Sequence, residues 1–318
     1  IPIIIRIFLK RYRPEKVVLL ETELWPNLLH VCRQEGVPVF LINARLSFKS
    51  FRRYKMLKLL MSQPLGPITK IGTQNALYAD RFTELGYTRG SIQITGNLKF
   101  DVRPDSMLSK ELITLFQNHF FERRVLVCGS TREGEEMRLM PEIKRLREKF
   151  NDLLVIVVPR HPDRATEVGN LCKKMKLNYS FRSKNWWKSS ELDVLIVDTI
   201  GDLLTCYHIS QVAFVGGSLV PHGGHNVLEP TRFGVPALVG PHTKNFRDEV
   251  GLLSSIGAVK IVMNEIEFYN QVVFLLENEG ERSRLGASAR RLVETQSGAL
   301  LRTLNMIGSE KLPKLKSI

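Results

Sequence analysis

Cysteine is scarce and scattered. The chain has four, Cys32, Cys128, Cys172 and Cys206, among 318 residues. No two of them stand at a metal-ligand or redox spacing. That argues against a disulfide-stapled scaffold and predicts reduced thiols in a cytosolic protein. Long hydrophobic runs are also lacking. The apolar stretch Ile3-Ile4-Ile5 is followed by Arg6, Lys10, Arg11 and Arg13, so it is too short and too charged to span a bilayer. No signal-peptide pattern, short-period repeat or low-complexity tract is visible. Position 1 is Ile rather than Met, so the sequence is expected to begin inside a longer gene product.

Acidic residues fall short of basic ones. Asp plus Glu number 32 against 46 Lys plus Arg, a formal net charge of +14. Such a surplus favours acidic partners: nucleic acid, anionic lipid headgroups or phosphorylated substrates. A basic solvated surface explains the same number. The remaining composition, 43% hydrophobic and 25% charged, is ordinary for a globular chain long enough for two domains.

The pattern along the chain alternates strand and helix. Strands are expected over 17–20, 38–42, 68–71 and 91–95, with helices over 25–33, 48–60 and 76–85 between them. After a loop around Pro104 and Asp105 the scheme repeats. Strands are expected over 124–128, 153–158, 179–182, 194–197, 212–215, 236–239 and 258–262. Helices are expected over 130–150, 162–175, 201–209 and 226–233, and two more close the chain. This order predicts an α/β fold of two doubly wound domains with parallel sheets, divided as 1–115 and 116–318. The first block has about four strands where a complete double unit has about six, so the N-terminal domain is expected to be incomplete.

Ligands of open parallel sheets sit at the carboxyl ends of strands. Glu21 and Glu23 follow the first strand. Either can cap or flank the next helix; that reading is preferred for Glu23, and a functional one for Glu21, directly at the strand end. Lys99, in Gly96-Asn97-Leu98-Lys99-Phe100-Asp101, can offset charge on a leaving phosphate, although alone it reads as a surface lysine. Pro159-Arg160-His161-Pro162 follows another strand, and the planar fork of Arg160 matches phosphate. A helix-start or packing role suits His161 better than titration. Asp198 reads as a helix cap, and the amides near Gly201 can meet a nucleotide. The richest stretch holds Gly216-Gly217-Ser218 and Gly223-Gly224-His225-Asn226-Val227-Leu228-Glu229. Its glycines admit close backbone approach, a helix from Asn226 would point amides at an anion, and Glu229 is placed for ribose hydroxyls. A turn-rich loop explains the glycines but not the acid. His222 and His225 lack a third ligand at a metal spacing, so no metal is expected.

These motifs occur in an order that resembles one family. Glu21-Thr22-Glu23-Leu24-Trp25-Pro26-Asn27, Asn43-Ala44-Arg45-Leu46-Ser47, the segment from Gly96 to Asp101, and Val158-Pro159-Arg160-His161-Pro162 come first. Phe214-Val215-Gly216-Gly217-Ser218-Leu219, the segment from Gly223 to Glu229, and Gly240-Pro241-His242-Thr243 complete the set. From near residue 10 to the end, the chain resembles the 3-deoxy-D-manno-octulosonic acid (Kdo) transferases of Gram-negative bacteria. The resemblance implies a GT-B architecture of two Rossmann-like domains, the first binding acceptor and the second the CMP-sugar. It implies transfer of Kdo from CMP-Kdo to a lipid A precursor, lipid IVA, at the cytoplasmic face of the inner membrane, without a cofactor. By the same resemblance Glu21 and Lys99 assist the transition state. Pro159 and Arg160, then Ile200, Gly201 and Asp202, then Asn226, Val227, Leu228 and Glu229 contact CMP. Position 202 is Asp where the family commonly has Glu, a shorter reach. The family's membrane anchor and its Ser-Val-Gly-Glu segment, whose Glu is the general base, have no counterpart here. The chain as it stands is therefore expected to be inactive.

Two other readings remain: a GT-B transferase using a UDP-sugar, and a catalytically incomplete module that holds nucleotide or lipid. Nucleic acid is suggested by charge alone, and no recognised module supports it. The basic stretch Arg45, Lys49, Arg52, Arg53 and Lys55 is a candidate contact for acceptor phosphates or anionic membrane, or else a solvated helix face. Neutralising all five is expected to weaken binding to anionic vesicles by about 1 kcal/mol per residue that faces the membrane. Unchanged co-sedimentation with such vesicles would remove the membrane reading.

Overall fold

A computed structural model describes residues 2–22, 25–58, 66–101, 108–189 and 191–308. The chain forms two compact units, one of Ile1–Val102 with Gln296–Ile318, the other of Arg103–Thr295. The expected helix ends at 59–60, the loop at Pro104 and Asp105, Glu23, and the basic tail from Lys311 to Lys316 lie outside the described residues.

Among the described residues the first unit carries four parallel strands in the order β1 (Val17–Leu20), β2 (Val39–Ala44), β3 (Lys70–Thr73) and β4 (Ile92–Ile94). Before β1 comes α1 (Pro2–Tyr12), which the sequence reading passed over. The crossovers are α2 (Pro26–Gln34), opened by Pro26 in its first turn, α3 (Phe48–Lys58), and α4 (Ala76–Glu84), where the Asn75 side chain accepts from Tyr78 N at 3.0 Å. Leu29, Val31, Leu41, Ile71 and Phe82 are among the side chains buried between these helices and the sheet.

The second unit begins with α5 (Lys110–Phe120), also unforeseen. It is capped by the Ser109 hydroxyl accepting from Leu112 N, and it buries Leu112, Phe116 and Phe120, one turn apart each. Phe120 stacks on Trp186 at 5.2 Å, and Ser109 N donates to Thr205 Oγ1 at 2.9 Å. A division after residue 115 would cut this helix, and these contacts are why the second unit starts earlier. Among the described residues its sheet has seven parallel strands: β5 (Arg124–Thr131), β6 (Leu153–Pro159), β7 (Tyr179–Phe181), β8 (Val194–Ile196), β9 (Val212–Val215), β10 (Ala237–Val239) and β11 (Val259–Ile261). Their order is β11-β10-β9-β5-β6-β8-β7. Strand order reverses at β5, which pairs with β6 on one side and β9 on the other, so the crevice for a ligand lies past the ends of these strands.

The helices between these strands are α6 (Glu135–Lys149), α7 (Ala165–Met175), α8 (Leu203–His208), α9 (Leu228–Arg232) and α10 (Arg247–Ser255); α11 (Glu265–Glu277) and α12 (Glu279–Gln296) follow β11. Two differ from expectation. Helix α6 starts at Glu135, not near 130, because β5 continues through a bulge at Ser130 to pair Thr131 with Pro159. Helix α9 starts at Leu228, not Asn226, and has five residues; Asn226 instead turns its side chain back to accept from Leu228 N at 3.2 Å.

Three helices, not two, end the described chain, and the last, α13 (Ala299–Met306), returns to the first unit. Asp101 explains the return. Its carboxylate accepts from Gly298 N and Leu300 N, supplying from a distant loop the cap that α13 lacks locally. Arg302 Nε donates to Thr95 O at 2.8 Å. The expected division therefore needs correction at both ends. Asp101→Ala is expected to lower stability by about 1–2 kcal/mol, the usual loss for a removed N-cap, and to speed amide exchange at Gly298 and Leu300. Unchanged exchange there would show that the carboxylate does not hold the helix.

Candidate functional site

In the first unit, chemistry gathers at the carboxyl ends of β1, β2 and β4. Glu21 ends β1 with φ +58°; its amide donates to Ile42 O at 2.9 Å, and its carboxylate pairs with Arg45 Nη2 at 2.8 Å. Arg45 is thus committed to Glu21 rather than standing with the other basic residues near α3. Asn43 has φ +50° and is buried. Its Oδ1 accepts from Leu98 N at 3.1 Å, tying β2 to the turn Leu98–Asp101 that carries Lys99. Asn97 Oδ1 accepts from Lys99 N at 3.0 Å. Left-handed backbone at non-glycine residues is disfavoured by about 1–3 kcal/mol and persists where surrounding bonds enforce it. Both bent positions fall where a parallel sheet presents its ligand.

In the second unit, the loops after β5, β6 and β9 converge. Arg160 follows β6; its amide donates to Thr131 O at 2.9 Å, and its guanidinium is exposed with no carboxylate paired to it among the described residues. Pro159 is buried as the last residue of β6. Glu229, in the first turn of α9, accepts from Asn226 Nδ2 at 3.3 Å. Burial pushes its carboxyl above the ordinary value, against the opposing pull of Asn226, Arg232 and Arg160. Val227 and Leu228 are fully buried, so they can offer a ligand only backbone.

The remaining predicted residues divide. Ile200 is 91% exposed, and Gly201 at φ +99° leaves open space beside its backbone, so this turn can receive a ligand. Asp202 is already engaged: its Oδ2 accepts from Thr199 Oγ1 at 2.6 Å and pairs with Arg182 Nε at 3.3 Å. Asp198 does not cap a helix; it accepts from the Ser183 amide at 2.9 Å and hydroxyl at 2.6 Å. His161 stands at the helix start as expected, but its ring meets Arg132 Nη1 at 3.1 Å.

Two positions that shape these loops escaped the sequence reading. Glu135 is fully buried. Its Oε2 accepts from Arg132 N at 2.9 Å and Gly217 N at 2.6 Å, and its Oε1 from Ser218 N at 2.9 Å and Leu219 N at 2.8 Å. The Gly216-Gly217-Ser218 loop, read from sequence as admitting close backbone approach to a ligand, therefore has its amides occupied internally. Gly216 is required by this packing, since a Cβ there would lie 2.6 Å from Ser130 O and Thr131 Cα. Arg132 is the second position: its Nε donates to His225 Nε2 at 3.3 Å. The acidic pair Glu135-Glu136 after a strand was visible, but three of the four amides that Glu135 accepts from lie more than 80 residues away, at a separation of 82 for Gly217. Among the described residues no group of three or more His, Cys, Asp or Glu is placed to hold a metal ion.

Burial, then Arg132, Arg160, His222 and His161, lower His225 from 6.5 to about 4. The unfolded chain therefore binds more protons than the native one between pH 6.5 and 4, so this residue makes stability fall as pH drops through that window. His225→Gln is expected to flatten the difference in urea midpoint between pH 7 and pH 5. An unaltered difference would show that His225 titrates normally.

A family model described as 3-deoxy-D-manno-octulosonic-acid transferase matches residues 1–102. The 3-deoxy-D-manno-octulosonic acid transferase of Haemophilus influenzae is 35% identical over 308 residues, 96% of this chain and 72% of that protein. The Bordetella pertussis transferase is 32% identical over 311 residues, 95% of this chain and 71% of that one. Among solved structures, the C-terminal CMP-Kdo binding domain of WaaA from Acinetobacter baumannii is 32% identical with a TM-score of 0.57, covering 60% of this chain and all of that domain. A putative UDP-N-acetylglucosamine 2-epimerase from Listeria monocytogenes, 15% identical, covers 96% of this chain and 76% of that one with a TM-score of 0.62. That likeness shows the shared fold, two Rossmann-like units of the GT-B kind. The chain belongs to the 3-deoxy-D-manno-octulosonic acid transferase family.

Proposed function

We propose that this protein is a glycosyltransferase that moves Kdo from CMP-Kdo to a lipid A precursor, lipid IVA, in lipopolysaccharide biosynthesis. The observation that carries the reading is the second unit's constellation of Arg160, Asn226 and Glu229 past the ends of β6 and β9, in a segment 32% identical to a CMP-Kdo binding domain. Arg160 takes the nucleotide phosphate through its unpaired fork. Glu229, held by Asn226, accepts from ribose hydroxyls, and the exposed turn at Ile200 and Gly201 lies against the nucleoside. Pro159, Val227 and Leu228 set the backbone, and Asp202 acts by fixing that turn to Arg182.

The reaction is a displacement. A carboxylate base, to which no residue of this chain is assigned, takes the proton of an acceptor sugar hydroxyl. The freed oxygen bonds to the anomeric carbon of Kdo as the bond to the CMP phosphate breaks, and CMP leaves. Glu21, positioned by Arg45, and Lys99, positioned through Asn97, stabilise charge that develops in the transition state. The first unit is the acceptor domain and the second the donor domain.

The enzyme works at the cytoplasmic face of the inner membrane, against anionic lipid. Helix α3 supports this with exposed Phe48 and Met56 beside exposed Arg52 and Arg53, apolar and basic groups together, as interfacial helices have. No helix among the described residues is long and apolar enough to cross a membrane. No cofactor is required, because a single phosphate leaves with the nucleotide.

Calorimetric titration with CMP and with UMP tests the donor assignment. CMP is expected to bind in preference to UMP, and Arg160→Ala and Glu229→Ala are each expected to weaken CMP about tenfold or more, as loss of a charge-assisted hydrogen bond does. Equal binding of UMP would favour a UDP-sugar donor. Absence of CMP binding would sink the reading.

A further inference from the structure

Arg132 is an arginine without an acid. Three other partly buried arginines of the second unit are paired with carboxylates: Arg138 with Glu265 at 2.6 Å, Arg147 with Asp193 at 2.7 Å, and Arg164 with Glu136 at 2.8 Å. Arg132 has none among the described residues. Its neighbour Glu135 holds its backbone amide, and the two oxygens of that carboxylate are taken up by backbone. The side chain of Arg132 instead lies between two imidazoles, Nε at 3.3 Å from His225 Nε2 and Nη1 at 3.1 Å from His161 Nε2.

A guanidinium can only donate, so both Nε2 atoms accept and both rings carry their proton on Nδ1. Two neutral rings therefore aim the cation without neutralising it. The low pKa of His225, about 4, agrees with that neutral state at physiological pH. The remaining terminal nitrogen, Nη2, has no hydrogen-bond partner among the described residues. The arrangement is built rather than incidental. Gly217, at φ +67°, sits where any Cβ would come within 2.8 Å of the His225 ring, so the loop after β9 needs glycine there to seat the histidine. The cation also stands at the end of β5, the strand at which the sheet reverses.

We propose that Arg132, oriented by His161 and His225, binds the carboxylate of the acidic sugar on the donor, and so distinguishes this donor from a CMP-linked neutral sugar. This rests on the CMP-Kdo reading above. Arg160 answers the nucleotide phosphate, which every such donor has. Among CMP-linked donors, Arg132 answers the second negative charge, which only an acidic sugar brings. An arginine fork suits a planar carboxylate better than a lysine would, and the two histidines act as positioning residues. The rival source of the same charge is the phosphate itself.

The test compares three probes on the full chain: CMP, freshly prepared CMP-Kdo, and its methyl ester, in which the carboxylate is uncharged. In the unaltered protein CMP-Kdo is expected to bind more tightly than CMP or the ester. Arg132→Gln is expected to leave CMP within about twofold and to weaken CMP-Kdo about tenfold or more, with the ester unaffected. His225→Leu is expected to lower the ratio of CMP-Kdo to CMP affinity in the same way, and His225→Gln, which keeps an acceptor for Arg132, to preserve it. Unfolding midpoints of all variants check that the fold is intact. Equal weakening of CMP and CMP-Kdo by Arg132→Gln would overturn the proposal in favour of a phosphate contact. No change with either probe would overturn it outright. Failure of CMP to bind the unaltered protein would strike down the nucleotide reading as well, which separates the two outcomes.

Discussion

The second unit's site depends on one buried carboxylate. Removing a charged group from water is destabilising by several kcal/mol unless the interior replaces the lost hydrogen bonds. Glu135 meets that condition with four amides, from Arg132 before it and from Gly217, Ser218 and Leu219 after β9. One side chain thus fixes two loops from adjacent strands. The other features follow from it. With the loop after β9 held, Ser218 Oγ accepts from Gly240 N at 2.8 Å, and Ser218 O accepts from His242 N at 2.9 Å, which sets the loop after β10. With Gly217 held, His225 has its place and Arg132 its direction.

Backbone strain marks the same strand ends. Glu21, Asn43 and Ser130 are non-glycine residues in left-handed conformation at the carboxyl ends of β1, β2 and β5. Arg13 and Lys176 share that conformation, but they terminate helices, where it closes the last turn. At the strands it falls at or directly after the last paired residues, and at Asn43 and Ser130 it coincides with a shift of register. In Ser130 the bend lets β5 regain pairing at Thr131 and delays α6 until Glu135, which is why Arg132 lies in a loop rather than inside a helix.

Much of this was legible from sequence, and the limits have physical causes. Apolar runs flanked by turn residues located the strands, because strands buried on both faces need continuous hydrophobic stretches; Val17–Leu20 and Val212–Val215 were read to the residue. Glu21 and Arg160 stood out because each comes at the end of such a run, and Glu229 because it is an acid soon after a glycine cluster. What could not be read were partnerships across long separations. Asp202 was named as a ligand contact by the resemblance, and its pairing with Arg182, which belongs to a different loop, was not legible. The paired glycines looked like a ligand cradle because nothing local reveals that Glu135 takes their amides. Arg132 looked ordinary because its distinction is the lack of an acid, a property of three-dimensional neighbours alone. Helix α5 was a different kind of miss: Leu112, Phe116 and Phe120 carry a plain helical period, overlooked beside a turn-rich segment.

The cap that Asp101 gives to α13 reaches across a sequence separation of 197 residues to Gly298. A ribosome makes Asp101 early and Gly298 near the end of this sequence. Through all the synthesis between them, Asp101 has no helix to cap, while the whole Arg103–Thr295 unit emerges and can fold on contacts of its own. The unit translated second is thus the one whose residues are all present first, and the unit translated first waits for the last helix before its own set of contacts is closed.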